Sequence, residues 1–302
     1  MNILASITEM KILITGSNGL LGQKIVAHCL KQSINFVATS KGQNRNPECP
    51  SDKFQSLDIS VAEEIRMVLD RTNPTHVIHT AALTNVDYCE LHPDECQLTN
   101  VVAVRYLFDE CTKRGIHFQL LSTDFVFNGD RGNYREEDQT TPLSVYARSK
   151  VDAEDIVRSA STDNWSIVRT IIVYGKGHAL SRNNIVSWAK EALFAGQEMK
   201  IVDDQFRAPT WADDLAWACI RICQLNEKGI FHVSGPETMS VYEIVERIAD
   251  YYNLPKDHLL RVSSATLNQP ATRPPKTGFD ISKSRRVLGY APKTLEETLD
   301  LI

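Results

Sequence analysis

Short apolar runs alternate with stretches of helical periodicity along the first 175 or so residues. The run 11–15 (KILIT) leads into a cluster of glycines, and a helical pattern follows over 20–30. The same unit recurs: strand 35–40, helix 61–72, strand 76–81, helix 93–114, strand 117–122, helix 145–160 and strand 166–173. These strands are apolar throughout rather than at every second position, so both of their faces are buried. Strands of that kind, spaced by helices, predict a parallel sheet with helices on either side.

Beyond Gly175 the rhythm breaks. A polar, basic stretch (GKGHALSRNN, 175–184) precedes a helix near 184–195, the segment KIVDDQFRAPT (200–210), a helix over 211–225 and one more buried strand at 230–233. Residues 236–302 read as helix and loop, with Pro270, Pro274, Pro275 and Pro292 marking irregular connections. The expected fold class is α/β: a Rossmann-type doubly wound parallel sheet with a smaller, mostly helical C-terminal substrate lobe. The dinucleotide-binding unit would span 10–177 plus 200–234, and the lobe 178–199 plus 235–302. Ligands of such sheets bind at the carboxyl ends of the strands.

At 302 residues, 42% hydrophobic and 24% charged, the chain has a globular composition that excludes disordered and fibrous classes. A net charge of −5 argues against nucleic acid or an anionic membrane as partner, because counterion release needs a basic surface. No apolar run approaches the ~18 residues of a membrane span, and the N-terminus lacks the pattern of a signal peptide, which predicts a cytoplasmic protein. Seven cysteines, odd in number and scattered, read as reduced thiols. Cys219 and Cys223 are one helical turn apart, but no second pair stands at zinc spacing, so no metal is expected.

Gly16, Gly19 and Gly22, with Asn18, Leu20 and Leu21 between them, form a G-x-x-G-x-x-G between the first strand and the first helix. There a dinucleotide pyrophosphate would lie on backbone N–H groups at the positive end of the helix. After the second strand the chain offers Thr39, Ser40, Lys41 and Arg45 in place of an acidic residue, which favours NADPH over NADH, since hydroxyls and cations attract a 2′-phosphate. Asp58 and Ile59 are placed to meet the adenine, although Asp58 could equally cap the next helix.

Tyr146 and Lys150 form a Tyr-x-x-x-Lys pair at the start of a helix, on one helical face. Spacing alone is weak, because Tyr252 and Lys256 repeat it, but Pro255 interrupts that second pair. A hydride added to a ketone leaves an alkoxide that must take a proton, and a phenol of pKa ~10 is a sluggish acid near neutrality. The ammonium of Lys150 would lower it and could hold a nicotinamide ribose. Thr123, at the end of the fifth strand, is the candidate third donor to the carbonyl oxygen. His79 reads as a core residue and the four tryptophans as packing, with Trp211 placed where it could stack on a base.

With those residues in view, the chain resembles the extended short-chain dehydrogenase/reductases from about residue 10 to its C-terminus, and among them the dTDP-4-dehydrorhamnose reductase family. The shared segments are GSNGLLG (16–22), AALTNVD (81–87), STDFVFNG (122–129), PLSVYARSK (142–150), DQFRAPT (204–210) and RPPKTGFD (273–280). The resemblance implies that Ala81, Ala82 and Thr84 line the phosphates and ribose of the cofactor. It puts Asn100 behind the active-site helix and Val173 or Tyr174 near the nicotinamide. Asp124, Phe125, Gln205, Pro209, Thr210 and Arg273 would shape the sugar-nucleotide end. Three departures stand out: Phe125 where the family has Tyr, Arg207 where it has Gly, and Lys276-Thr277 where it has Asn-Ser. The added cations fit a nucleotide diphosphate, a different sugar nucleotide, or a solvated surface.

The implied activity is NADPH-dependent reduction of the 4-keto group of a nucleotide-linked deoxysugar, dTDP-4-dehydrorhamnose to dTDP-L-rhamnose, and it leaves room for a homodimer. Two alternatives remain. One is a sugar-nucleotide epimerase or dehydratase, for which the acidic Asp124 speaks and the non-acidic Phe125 does not. The other is a non-catalytic NADP-binding subunit like the regulatory subunit of methionine adenosyltransferase. The stretch from Met10 to Gly16 would make an ordinary beginning for the family, so residues 1–9 read as an extension to it.

Overall fold

The computed structural model describes residues 10–302, so the proposed extension 1–9 lies outside the described residues. The core is a seven-stranded, all-parallel sheet: β1 (Lys11–Thr15), β2 (Asn35–Ser40), β3 (Phe54–Ser56), β4 (His76–His79), β5 (His117–Thr123), β6 (Trp165–Thr170) and, much later in the chain, β11 (Gly229–His232). Counting from the β3 edge the order is β3-β2-β1-β4-β5-β6 and then the late strand. Strand order therefore reverses between β1 and β4, which opens a crevice at their carboxyl ends.

Alternate residues of a strand point to opposite faces. In β1, Ile12 and Ile14 join one apolar cluster with Ile25, Val26, Phe36, Leu215 and Phe231, while Leu13 joins the other with Ile65, Leu69, Val77, Leu107 and Ile156. The helices covering the sheet are α1 (Leu20–Lys31), α2 (Ala62–Thr72), α5 (Ala103–Lys113), α6 (Val145–Arg158) and α8 (Ala212–Leu225). Full burial of each large apolar side chain in these clusters contributes roughly 1.5–3 kcal/mol. A third cluster, built from Tyr174, Val186, Leu193, Met199, Tyr242, Val245, Ile248 and Leu299, stands apart beside the crevice.

Several elements differ from the sequence reading. The run 166–173 does not form one strand. It ends at Thr170, Ile172 takes a left-handed φ of 31°, and Val173–Tyr174 (β7) pairs instead with Thr210–Trp211 (β10). A β-branched residue there is strained by about 1–3 kcal/mol. Backbone and side chain of Thr210 hold the turn, with its N–H on the Ile172 carbonyl and its hydroxyl on that of Ile171.

The helix expected over 93–114 is preceded by α3 (Val86–Leu91), capped by Asn85, and is itself split into α4 (Pro93–Gln97), a wide π turn at Leu98–Val102, and α5. Between α7 (Ile185–Phe194) and α8 lie β8 (Met199–Val202), β9 (Phe206–Arg207) and β10. In the C-terminal region, β12 (Met239–Ser240) pairs with β9, α9 is Val241–Tyr251, and β13 (Leu259–Val262) pairs with β8. Among the described residues no helix is long and apolar enough to cross a membrane. All seven cysteines are buried free thiols.

Candidate active site

The crevice is a cleft of about 630 Å³ running from the glycine turn to the third cluster. Its first end is shaped by Gly16, Asn18, Gly19, Leu20, Leu21 and Gly22. Gly16 has φ +70°, and a Cβ there would sit 2.7 Å from the Ala81 nitrogen. A Cβ on Gly22 would lie 2.6 Å from the Ser17 Cα, so only glycine lets the turn fold this tightly against the helix start. The cradle leaves the first backbone N–H groups of α1 facing the cleft, where the helix carries partial positive charge, so it fits a pyrophosphate.

Asn18 braces this end. Its side-chain amide donates to the Gln43 carbonyl and accepts from the Arg45 N–H, both at 2.8 Å, which draws the loop after β2 toward the glycine turn. Ser40, the last residue of β2, and Lys41, the first of that loop, lie outside the cleft, with Asp58 and Ile59 next to them after β3. Lys41 pairs with Asp58 at 2.7 Å, and this hydrogen bond, with that from Ser60, holds the Asp58 carboxyl down at about 2. Asp58 also accepts from the Ser60 backbone just ahead of α2.

In the middle of the cleft Thr123, Asp124, Phe125, Tyr146 and Lys150 come together with Ala82, Thr84 and Val173. Helix α6, capped by the Ser144 hydroxyl, presents Tyr146, Lys150 and Glu154 at successive i,i+4 positions. Lys150 is only 3% exposed, and burial pulls its ammonium down to about 8, against the pull of Glu154. Tyr146 is pushed up, not down, from its ordinary value. Burial dominates, opposed by the Thr123 hydroxyl, and of the charges acting on it the Asp124 carboxyl raises it and the Arg182 guanidinium lowers it.

The hydroxyl of Thr123 is already engaged. It donates to Asp124 Oδ1 at 3.0 Å and accepts from the Phe125 N–H at 3.2 Å. A threonine hydroxyl has one proton and two lone pairs, so one acceptor position is what remains toward the cleft. Phe125 packs edge-on against the Tyr146 ring at 6.1 Å.

Behind this wall sits Asn100, which does not line the cleft. The π turn aims its amide at both backbone groups of Leu83 and at the Ser149 hydroxyl, tying the 81–85 loop to α6. Ala81 likewise stands behind, against Gly16. Deeper still, Glu154 and Arg169 form a fully buried ion pair at 2.6 Å, with Ser122 donating to the carboxylate. His79 is buried with Nδ1 2.8 Å from the Thr15 hydroxyl, and burial holds it down at about 3.

The far end divides the remaining candidates. Arg273 lines the cleft but is held in a two-pronged pair with Asp87, at 2.7 and 3.1 Å. Gln205, Pro209 and Thr210 are buried in the wall and do not reach the cleft. Trp211 lies under the Lys293 ammonium, away from it. Of the cations foreign to the family pattern, Lys276 is exposed over the Phe206 ring, and Arg207 is 1% exposed, turned onto backbone carbonyls.

Among the lining residues not singled out in the sequence are Thr80, Asn85, Ile172 and the segment Leu180–Ile185. Arg182 crosses to the Thr84 carbonyl and hydroxyl, and Gln23 pins the same segment through both backbone groups of His178. The polar break in rhythm at 175–184 was the one signal of this strap.

Residues 10–302 match the family described as the RmlD substrate binding domain. A probable low-salt glycan biosynthesis reductase from Haloferax volcanii is 32% identical over 294 residues, 96% of either chain. The methionine adenosyltransferase 2 subunit beta of Pongo abelii is 30% identical, covering 96% of this chain and 85% of its own. The crystal structure of dTDP-4-dehydrorhamnose reductase from Bacillus anthracis in complex with NADP superposes with a TM-score of 0.85 at 27% identity, covering 97% and 98% of the two chains.

Proposed function

Because the chain belongs to the RmlD substrate-binding domain family, we propose that it is an NADPH-dependent reductase of the 4-keto group of a nucleotide-linked deoxysugar, with dTDP-4-dehydrorhamnose as substrate and dTDP-L-rhamnose as product. The observation that carries this reading is the meeting, in one cleft, of a glycine cradle for a pyrophosphate and a Tyr146–Lys150 pair at the distance of one helical turn. The NADP in the Bacillus anthracis neighbour and the cationic loop of Lys41 and Arg45, drawn in by Asn18, support NADPH.

NADPH, when bound, supplies the hydride that the keto carbon accepts. Tyr146 donates its phenolic proton to the keto oxygen, and the Lys150 ammonium stabilises the phenolate left behind. A charge acts strongly in this buried setting, since few waters screen it. Thr123 stands in the cleft beside the phenol. Arg182, Asn183 and Arg273 offer donors to the nucleotide diphosphate, with Arg182 free of any acidic partner among the described residues.

The test is net NADPH oxidation with dTDP-4-keto-6-deoxy-L-mannose. An epimerase or dehydratase would turn over sugar nucleotide without net cofactor consumption. A second reading, a non-catalytic NADP-binding subunit, draws support from the similarity to methionine adenosyltransferase 2 subunit beta. It requires a synthetase that co-purifies with the chain and no oxidation of NADPH on any sugar nucleotide.

A further inference from the structure

Arg207 stands on β9 with its guanidinium wholly buried behind the cleft wall. One nitrogen, Nη1, donates to the carbonyls of Phe206 and Pro275 at 2.8 and 3.2 Å. The other, Nη2, donates to Pro274 at 2.7 Å and reaches the Gln205 amide oxygen at 3.5 Å. Those partners satisfy its N–H groups without neutralising its charge. Among the described residues the one carboxylate paired with it is Asp124, 3.7 Å from Nε and equally buried. The same guanidinium lies 5.3 Å from the centre of the Phe125 ring, which in turn packs on Tyr146.

Asp124 accepts hydrogen bonds from the hydroxyls of Thr123 and Thr277, one on each oxygen. An ionised carboxylate is acceptor-only, so both protons belong to the threonines. A protonated Asp124 would have a proton of its own to give, and the Thr123 proton would then be released toward the cleft. The charge on Asp124 thus sets the direction of the Thr123 hydroxyl. Arginine holds its proton throughout the working range, and a buried guanidinium that lost its counter-charge would be heavily penalised.

We propose that Arg207 is a positioning residue that keeps Asp124 ionised, fixes the Thr123 hydroxyl as donor to Asp124 so that it offers no proton to the cleft, and leaves Tyr146 as the sole proton donor to the keto oxygen. This rests on the reductase reading and deepens it. An Asp124 held as carboxylate has no proton to give to a leaving hydroxyl, which disfavours water elimination at this site. Burial holds the Asp124 carboxyl above its ordinary value, and Arg207, then the Thr277 and Thr123 hydroxyls, offset that push in part. The titratable and charged groups facing Asp124 are Arg207 from β9 and Tyr146 from α6, with Arg273 beyond Arg207.

Arg207→Met fills the same space without charge, and removing an opposite charge within about 4 Å lifts a carboxyl by roughly 1–3 pH units. The kcat of this variant should therefore show a titration displaced to higher pH than in the unsubstituted enzyme, a change of about tenfold or more across it. Arg207→Lys, which restores the charge, should return the profile to its original shape, and Asp124→Asn in the Arg207→Met background should remove the titration. A loss of the same factor at every pH would overturn the proposal, as would a titration that survives Asp124→Asn.

Urea unfolding reads the ion pair independently of any substrate. Without Arg207 the native Asp124 titrates further above the unfolded value, so the native state gains protons as pH falls. The stability deficit of Arg207→Met should then be largest near pH 7 and shrink toward about pH 4.5, in the Asp124 background only. If NADPH is not oxidised on any sugar nucleotide, the reductase reading fails while this shrinking deficit still upholds the ion pair. A deficit that is constant with pH overturns the role assigned to Arg207.

Discussion

The substitution Glu154→Gln should be among the most damaging conservative changes in the molecule. Glu154 is 0% and Arg169 1% exposed at the side chain, so water cannot compensate either charge. The carboxylate takes Arg169 Nε at 2.9 Å, Arg169 Nη2 at 2.6 Å and the Ser122 hydroxyl at 2.6 Å. A glutamine side chain would keep the volume and one acceptor oxygen but turn an amide toward the guanidinium. Among the described residues, the other groups on the Arg169 guanidinium are the Glu136 carbonyl, His232 at 3.3 Å and the face of Phe127, and none is an anion. Removing one partner of a buried pair costs about 3–5 kcal/mol, a large share of the roughly 5–15 kcal/mol that keeps a domain folded. Urea unfolding followed by tryptophan fluorescence would measure it. A loss below about 1 kcal/mol would refute the reasoning, because it would mean the guanidinium finds solvent or another anion. Removing both charges together, with Glu154→Leu and Arg169→Met, should be less damaging than Glu154→Leu alone.

Three further outcomes follow from the packing of the cradle, the core histidines and Lys150. Gly22→Ala should weaken NADPH binding by about tenfold or more, because the new Cβ meets the backbone of Gly16 and Ser17 and the cradle must open; unchanged binding in a fluorescence titration would contradict this. Burial holds His117 down at about 4 and His79 at about 3. Below about pH 6.5 the unfolded chain binds protons that the native state refuses, so stability falls toward pH 4, by about 3 kcal/mol for His117. Unfolding free energies that stay level between about pH 7 and 4.5 would refute it. With Lys150 near 8, kcat should decline as pH rises through that value, and the decline should vanish in Lys150→Arg, whose guanidinium keeps its proton. The same alkaline limb in both enzymes would sever Lys150 from the chemistry.

Much of this architecture was legible in the sequence, because buried parallel strands are apolar on both faces and a glycine turn at a strand end has few other uses. The parallel pairing of β1 with β2 and β4 is what such runs predict. The break at Ile172 was hidden, because apolar residues continue past it and the pairing that bends the chain comes from Thr210, far along the sequence. The short helix Val86–Leu91 and the parallel pair Met199–Val202 with Leu259–Val262 are too brief for periodicity to declare. The site divided in the same way. Tyr146 and Lys150 share one helix face and could be paired by spacing, whereas the hold of Arg207 on Asp124 depends on two segments that meet only in the fold. Charge alone could not say whether Arg207 faced a phosphate, the solvent or, as it does, the buried wall.

The most direct test of the central claim is a comparison of the unsubstituted enzyme with Tyr146→Phe in NADPH oxidation on dTDP-4-keto-6-deoxy-L-mannose, with the NADPH dissociation constant measured on both. The expected result is rapid, stoichiometric oxidation that falls by at least about a hundredfold in the variant, at an almost unaltered dissociation constant, because the change removes one proton donor and little else. Turnover by Tyr146→Phe at the original rate would contradict the assignment of the phenol as the acid.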